Sequence, residues 1–579
     1  MSSYIDYMSK FSQSDLRNYI GADVIDHLVE WLPKEDTLLT KKRMVSMINS
    51  LYGVSILNEK QFRKNLLQCM TEGEIKQIRD NCLSENERKE KNLIKVIDII
   101  ADKPWNKNKV TLYLLKLWNI PDSIFDKEID DAIIANNIEG AKEQFFELLD
   151  YQYYIKQRVL NNLNSENLLE KMLVHMPTGT GKTKTTMHII TNYINFTMRK
   201  KGIIIWVAHT IELLQQAYET FVNVWSHLGD GDISAYKLWG NKSIALVQEP
   251  LNGIVFCGLA KLLSIAKNNS ELYDRLKKDC RVLVFDEAHK AAASQTYKVI
   301  ESFMRMPAGY ENRALIGLTA TPGRTTEISS DNKLLTNMFG NKLIHIDSDI
   351  LNQINLGKLK ALNIIAESNI IKYFQERKIL AKMISRKLTY KIDFTEEELK
   401  ILSSDLKDMG YDEKEYTSEQ LQVLARNKER NLAIINQLKK LYVDKIPTIV
   451  FSCSVNHAKL LSAMLTLEGI SNSLVLGEMN SLDRKHAIEN FKKRNSEVNI
   501  IINYEVLTTG FDSKNIRCVF ITRPTKSIVL YSQMLGRGLR GPLMGGNEEC
   551  LLIDIDDNLK SFDNETAFSH FNDYWKVRR

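Results

Sequence analysis

Short, near-continuous runs of branched apolar residues alternate with helical stretches from residue 171 onward. The runs are KMLVHM (171–176), GIIIWVA (202–208), GIVFC (253–257), RVLVF (281–285) and ALIGL (314–318). A strand apolar on both of its alternating faces must be covered on both, as in a parallel sheet with helices above and below. Each run is followed by a polar turn and a helical stretch, so a doubly wound α/β lobe is expected. A second set of runs predicts a second lobe: TIVFS (448–452), NSLVL (472–476), VNIII (498–502), CVFIT (518–522) and CLLID (550–554).

Two other stretches read as helical. Within residues 1–140, VIDHLVEWL, MVSMINSLYGV and VTLYLLKLWNI repeat apolar residues at three and four spacing, and glycine and proline are sparse. Within 370–440, YFQERKILAKMISRKL, EEELKILSSDLKDM and EQLQVLARNKERNLAIINQLKKL read as charged helices inserted between the lobes. The expected organisation is a helical accessory domain (1–140), a first lobe (141–350), a linker with a helical insertion (351–442) and a second lobe (443–579). Several domains suit a chain of 579 residues.

Composition excludes some classes. Hydrophobic residues make 44% and charged residues 26%, as in soluble globular proteins. No apolar stretch approaches the ~20 residues of a membrane span, so no membrane partner is expected. The opening MSSYIDYMSKFSQSDL lacks the basic start and apolar run of a signal peptide, and a cytoplasmic location is the expectation. The seven cysteines form no CxxC pair, which argues against a disulfide framework and a zinc knuckle. Residues 1–150 hold 21 Lys+Arg against 25 Asp+Glu, a net of −4 in a chain of net +6. Phosphate backbones would therefore be met by the remainder. The acidic helical region has no catalytic cluster and is expected to recruit a protein partner or shape substrate choice, and to be separable from the catalytic part.

Two motifs carry chemistry. MPTGTGKT (176–183) follows the run KMLVH and opens the stretch TKTTMHIITNYI. Strand, Gly-rich loop and helix start are what a phosphate cradle requires. Gly179 and Gly181 let the backbone of Pro177, Thr178 and Thr180 approach phosphates as an anion nest. Lys182 would reach the β- and γ-phosphates, and the Thr183 hydroxyl would ligate Mg²⁺. The strict pattern has glycine where this chain has Met176. DEAH (286–289) directly follows the run RVLVF. Carboxylates at the C-terminal end of a parallel strand face the ligand edge of the sheet. Asp286 would hold Mg²⁺, and Glu287 would orient and deprotonate an attacking water.

The pair resembles the superfamily 2 helicases with a DEAH-type Walker B box, and the resemblance extends over residues ~145–579. Gln152, in LLDYQYY, is similar to that family's adenine-reading glutamine. VAHTIELLQQ (207–216) resembles motif Ia, which implies nucleic-acid contacts for His209 and Thr210. LTATPGR (318–324) resembles motif III, with Thr319 and Thr321, together with His289, linking the nucleotide site to the lobe interface. TIVFSCSVNHA (448–458) resembles motif IV, with Ser452 toward nucleic acid. NYEVLTTGFD (503–512) resembles motif V, with Thr508 toward nucleic acid and Gly510 and Asp512 toward nucleotide. YSQMLGRGLRG (531–541) resembles motif VI, with Gln533, Arg537 and Arg540 at the nucleotide. The spacing of the two arginines puts them on one helix face.

The resemblance implies two RecA-like lobes that bind ATP and Mg²⁺ between them and work on nucleic acid, DNA ahead of RNA. MPTGTGKT, LTATPGR, QMLGRGLRG and the closing LLIDIDDNLKSF…HFNDYWKVRR are most similar to the group of restriction-enzyme ATPase subunits, DNA-repair helicases and phage-defence helicases. Three alternatives stand beside a DNA helicase: a DNA-triggered ATPase that gates a partner effector, an RNA helicase, and a nucleotide-binding scaffold without turnover. Glu287, Arg537 and Arg540 argue against the last.

Overall fold

The computed structural model of the protein describes residues 3–557 apart from 32–38, 126–135, 142–144, 200, 241–250, 292, 306–311, 324–329, 348–349, 351–369, 392, 404–414, 480, 494–495, 509 and 512. Asp512, the last residue of LTATPGR and the closing segment from 558 lie outside the described residues.

The first lobe is an eight-stranded sheet. Its strands are β1 (Asn136–Ile138), β2 (Leu169–His175), β3 (Ile203–Ala208), β4 (Ile233–Leu238), β5 (Gly253–Gly258), β6 (Cys280–Asp286), β7 (Arg313–Thr319) and β8 (Leu343–Ile344). Their order is β1-β4-β5-β3-β6-β7-β2-β8, parallel except for β1 against β4. Every residue of β3 and β7 is buried, which is why these segments tolerate no polar alternation. β1 lies inside the segment read as helical and joins the edge of the first sheet, where Asn136 donates to Tyr218 Oη at 2.9 Å.

The second lobe is a six-stranded parallel sheet: β9 (Lys382–Leu388), β10 (Thr448–Phe451), β11 (Ser473–Val475), β12 (Ile500–Asn503), β13 (Cys518–Ile521) and β14 (Glu549–Ile555), in the order β11-β12-β10-β13-β14-β9. β9 corrects the sequence reading. KMISRKL was expected within a helix, but the helix there is Ile370–Glu376 alone, and KMISRKL pairs along its length with β14. It is an edge strand with its lysines and arginine exposed, so charge sits on a strand without desolvation cost, and such charge blunts an unpaired edge. The insertion is otherwise helical in its described part, with helices Glu396–Ser403, Ser418–Arg426 and Lys428–Val443. The last is anchored by Arg430, fully buried, whose Nε and Nη2 donate to Asp557 at 2.8 Å each while Nη2 also donates to Thr522 O at 2.7 Å.

The N-terminal helices, expected to be separable, pack into one core with the second lobe. One apolar core contains Met44, Met47, Ile48 and Leu51 from the helix Lys41–Tyr52 and Ala458, Leu461 and Leu465 from the helix Val455–Leu467 of the second lobe. Polar contacts edge this seam: Ser50 Oγ lies 3.3 Å from Ser462 Oγ, and Asn456 Nδ2 donates to Asp23 at 3.1 Å. Burying an aliphatic side chain stabilises by roughly 1.5–3 kcal/mol, so several of them fuse the helical region to the second lobe. Among the described residues no helix is long and apolar enough to cross a membrane.

The shared core makes a prediction. Leu461→Ala should cost about 2–5 kcal/mol and should lower hydrogen-exchange protection of Lys41–Tyr52 together with that of Val455–Leu467. Loss confined to the second lobe would contradict the shared core.

Candidate nucleotide site between the two lobes

The loop that follows β2 is shaped by its glycines. Gly179 and Gly181 have φ of +86° and +83°, a region L side chains avoid, so the chain can turn its N–H groups toward a ligand before the helix Lys182–Tyr193 begins. Thr180 fastens the turn, its hydroxyl donating to Pro177 O at 2.7 Å. Met176 is fully buried in the core behind the loop. Gln152 braces the loop from the side. Its Oε1 accepts the N–H of Leu149 at 3.0 Å and its Nε2 donates to Thr180 O at 2.9 Å, beside Tyr151 Oη on the same carbonyl at 2.7 Å. The amide expected to read adenine thus holds the phosphate loop in this structure.

The carboxylates of DEAH face the loop lysine. Lys182 Nζ lies 3.9 Å from Asp286 Oδ1 and 3.8 Å from Glu287 Oε1. Burial pushes Asp286 up to about 6, against the pull of Lys182 and with a push from Glu287. Burial would raise Glu287 too, but the charges around it, Lys182 first and Arg537 among them, hold it low, at about 2. Glu287 has φ +53°, an uncommon conformation for a residue with a side chain, of the kind that gathers at functional sites.

His289 connects this centre to two other motifs. Burial lowers its pKa to about 4, so the ring is neutral near pH 7. Its Nδ1 lies 3.4 Å from Glu287 Oε2 and 3.5 Å from Thr319 Oγ1, and its Nε2 lies 3.4 Å from Gln533 Nε2. The amide donor at Nε2 places the ring proton on Nδ1, facing Glu287 and Thr319. Thr319 in turn donates to Thr321 O at 2.6 Å and accepts the Thr321 N–H at 3.1 Å. Thr319, Thr321, His289 and Gln533 form one buried chain from Glu287 to the second lobe.

The second lobe meets the phosphate loop directly. A Cβ on Gly536 would fall 2.5 Å from Thr178 Cγ2, so only glycine lets the helix Ile528–Gly536 come this close. Arg537 caps that helix and donates to Phe511 O. Arg540 does not share its face, which corrects the helical spacing inferred from sequence. The helix stops at Gly536, Gly538 packs where a Cβ would lie 2.4 Å from Cys550 Sγ, and Arg540 forms a β-bridge with Leu380. That bridge brings Arg540 and Leu380 onto Gly179.

The residues assigned to nucleic acid behave differently. Thr210 caps the helix Ile211–Leu228, its hydroxyl accepting the N–H of Leu213 at 3.3 Å. His209 turns inward, with Nε2 2.7 Å from Lys290 Nζ. Ser452 is buried and its hydroxyl has no partner among the described residues. Thr508 is buried and donates to Glu505 O. Gly510, expected toward nucleotide, packs instead on Leu213 and Glu212, where a Cβ would lie 3.2–3.3 Å from their atoms. Sequence reasoning missed three contacts that tie the lobes: Glu212 with Arg484 at 2.9 Å, Asp150 with Arg377 in a two-pronged pair at 2.8 Å, and Tyr151 edge-on to Phe374 at 5.0 Å. No local motif marks such partners, since each pair is far apart in sequence.

A hard divalent cation suits the donor set. Mg²⁺ takes carboxylate, hydroxyl, water and phosphate oxygens, and Asp286 and Thr183 offer the first two beside the phosphate loop.

Residues 145–324 match the family described as the type III restriction enzyme, res subunit, and residues 430–541 match the helicase conserved C-terminal domain. A Saccharomyces cerevisiae protein bearing the name ATP-dependent helicase IRC3 is 30% identical over 178 residues, which is 30% of this chain and 25% of that protein. The ATP-dependent RNA helicase ROK1 of Yarrowia lipolytica is 33% identical over 121 residues, 21% of this chain and 22% of that protein. The ATP-dependent DNA helicase MPH1 of S. cerevisiae is 24% identical over 242 residues, 40% of this chain and 20% of that protein. The matched segments span about a quarter or less of these relatives' lengths.

The buried carboxylate of Asp286 has a stability consequence. A carboxyl whose folded pKa is raised above its unfolded value costs stability that is absent below the unfolded pKa and full above the folded one. Asp286→Asn should therefore melt higher than the parent near pH 7.5 in the absence of nucleotide, with the gap closing below about pH 4. A lower melting temperature for the variant near pH 7.5 would overturn this account of Asp286.

Proposed function

We propose, for a chain that belongs to the superfamily 2 helicases of the restriction-subunit-like group, an ATP-driven motor that translocates on or unwinds DNA in a bacterial phage-defence or DNA-repair setting. The observation that carries this reading is the closed cleft in which Lys182, Asp286 and Glu287 of the first lobe meet Gln533, Arg537 and Arg540 of the second. The match to a restriction-enzyme subunit and the long alignment to a DNA helicase support DNA over RNA.

Phosphoryl transfer asks a protein for positioning and charge stabilisation. Glu287, kept ionised by its cationic surroundings, takes the proton of the attacking water. His289 stands with Nδ1 3.4 Å from that carboxylate and accepts from Gln533 at Nε2, so the surroundings of the base depend on where the second lobe sits. Lys182 divides its charge between the carboxylates and the incoming phosphates. Thr183 and Asp286 would hold Mg²⁺, which offsets phosphate charge when bound. Arg537, near enough to lower the Glu287 pKa, and Arg540, against Gly179, bring guanidinium forks to the cleft from the other lobe, a geometry that lysine cannot copy. ATP thus favours the closed arrangement, and loss of the γ-phosphate releases it. Nucleic acid lies across the C-terminal edges of both sheets near Thr210 and Thr508, with His209 and Ser452 behind that surface, held mainly through phosphates.

Two experiments test the motor. Glu287→Gln should cut the maximal ATPase rate by ~10²–10⁴ while retaining ATP binding. Arg537→Lys and Arg540→Lys should cut it by up to ~10³–10⁵ at saturating ATP and nucleic acid. Rates near the parent's in Glu287→Gln, or in both arginine variants, would remove these residues from the chemistry.

Substrate class is tested by ATPase rates on a panel of single-stranded, duplex and forked DNA and RNA. DNA should stimulate turnover, and the stimulation should fade steeply as salt rises, because backbone binding releases counterions. Indifference to every nucleic acid would contradict the reading, and strand displacement on the forks separates unwinding from a DNA-triggered gate.

A further inference from the structure

A cleft of about 1120 Å³ opens on the second lobe, away from the nucleic-acid edge. Its walls are the segments that lead into β10, β12, β13 and β14: Lys445 before β10, Lys492 and Lys493 before β12, Lys514 and Arg517 before β13, and the turn Gly545–Asn547 before β14. Ser452 and Thr508 follow β10 and β12, so the cleft lies at the opposite ends of the same parallel strands.

The charge of this cleft is unbalanced. Lys445, Lys492, Lys493, Lys514 and Arg517 are all exposed, and Glu497 is the one carboxylate lining the cleft among the described residues. Other cations of the second lobe have found carboxylates: Lys439 with Glu468, Lys459 with Glu478, Arg484 with Glu212 and Arg523 with Glu505. Of the five in the cleft, Lys493 donates to Asn490 Oδ1 and Lys492 stands over the Phe511 ring, and among the described residues none is ion-paired. Helix ends explain part of this. Lys445, Lys492 and Lys493 lie at or just past the C-terminal ends of Lys428–Val443 and Ser481–Lys492, where free carbonyls favour cations. Lys514 and Arg517 follow no such end. Like charges gathered in a concavity repel one another unless a ligand's charge offsets them.

We infer that this cleft is a second nucleic-acid site, which takes the phosphodiester backbone of a strand or arm outside the motor track. Several cations spread along one wall suit a ligand with repeated charges better than a single phosphate. Phe491 is buried beside them and Tyr442 is a half-buried aromatic on a wall otherwise dominated by cations, so the fit is chiefly to backbone and binding is largely independent of sequence. The position at the far edge of the lobe suits a long or forked substrate, whose second arm passes around the lobe. The turn that closes the cleft also leans on the motor, since Met544 Cε lies 3.7 Å from where a Cβ would stand on Gly181. The inference rests on the reading that nucleic acid is the substrate.

The test uses the full chain with Lys445, Lys492 and Lys493 changed together to glutamate, and a second variant with the same three changed to glutamine. Binding of a 40-nucleotide and a 10-nucleotide single strand is followed by fluorescence anisotropy from about 50 to 200 mM salt. For the 40-mer, affinity at low salt should fall at least about tenfold in the glutamate variant, with the glutamine variant between it and the parent. The slope of log affinity against log salt should shrink by roughly 2, as about 0.7 is lost per single-strand phosphate released. The maximal ATPase rate with the 10-mer should be unchanged, which also shows that the variants are folded. Parent-like affinity and slope for the 40-mer in both variants would overturn the inference. So would a cleft that binds an acidic peptide while DNA and RNA binding ignores the substitutions. A parent that binds neither DNA nor RNA at low salt would instead sink the proposed function.

Discussion

The seam between Gly536 and the phosphate loop is the contact on which the rest of the site depends. No side chain fits at Gly536 while Thr178 stands where it does. The approach brings a helix end of the second lobe onto the loop proposed to cradle phosphates in the first. It also sets Gln533 within reach of His289 and places Arg540 over Gly179. A nucleotide bound there would touch both lobes at once, and ligands of that kind favour closed states because their contacts are complete only when the cleft is shut.

Such a seam is useful because the groups behind it are expensive to bury. Asp286 and Glu287 are two adjacent buried carboxylates, faced by a single lysine at 3.8–3.9 Å. Charges removed from water must be compensated where they stand, and here part of the compensation comes from the second lobe through Arg537 and the His289–Gln533 contact. Opening the lobes would strip Glu287 of that support. The left-handed backbone of Glu287 adds local strain that the surrounding strands must hold. Pairs remote from the chemistry, Glu212 with Arg484 and Asp150 with Arg377, set the same closed arrangement from either side.

What could be read from the sequence follows from how local each feature is. The glycines and lysine of 176–183 and the carboxylates after RVLVF announce themselves because one strand end and one turn determine them. The parallel lobes were legible because their strands are apolar on both faces. KMISRKL was not, since an edge strand carries exposed charges of the kind that elsewhere signal a helix, and only its partner Glu549–Ile555 decides the matter. The spacing of Arg537 and Arg540 suggested a shared helix face, but Gly536 and Gly538 end the helix between them. His209 looked like a surface contact and instead faces Lys290. The union of the N-terminal helices with the second lobe depends on complementary faces more than 400 residues apart in the chain, as Ser50 with Ser462 illustrates, and no periodicity could reveal it.

Closure itself can be observed directly. Spin labels at Glu219 on the first lobe and Lys440 on the second, both exposed, report the inter-lobe distance by pulsed electron resonance, with Glu287→Gln used to hold ATP unhydrolysed. ATP and DNA together should collapse the distances to one narrow population, that of the closed arrangement described above. Without nucleotide the distribution should broaden toward longer values. Distributions that do not respond to ATP would contradict a cleft built from both lobes.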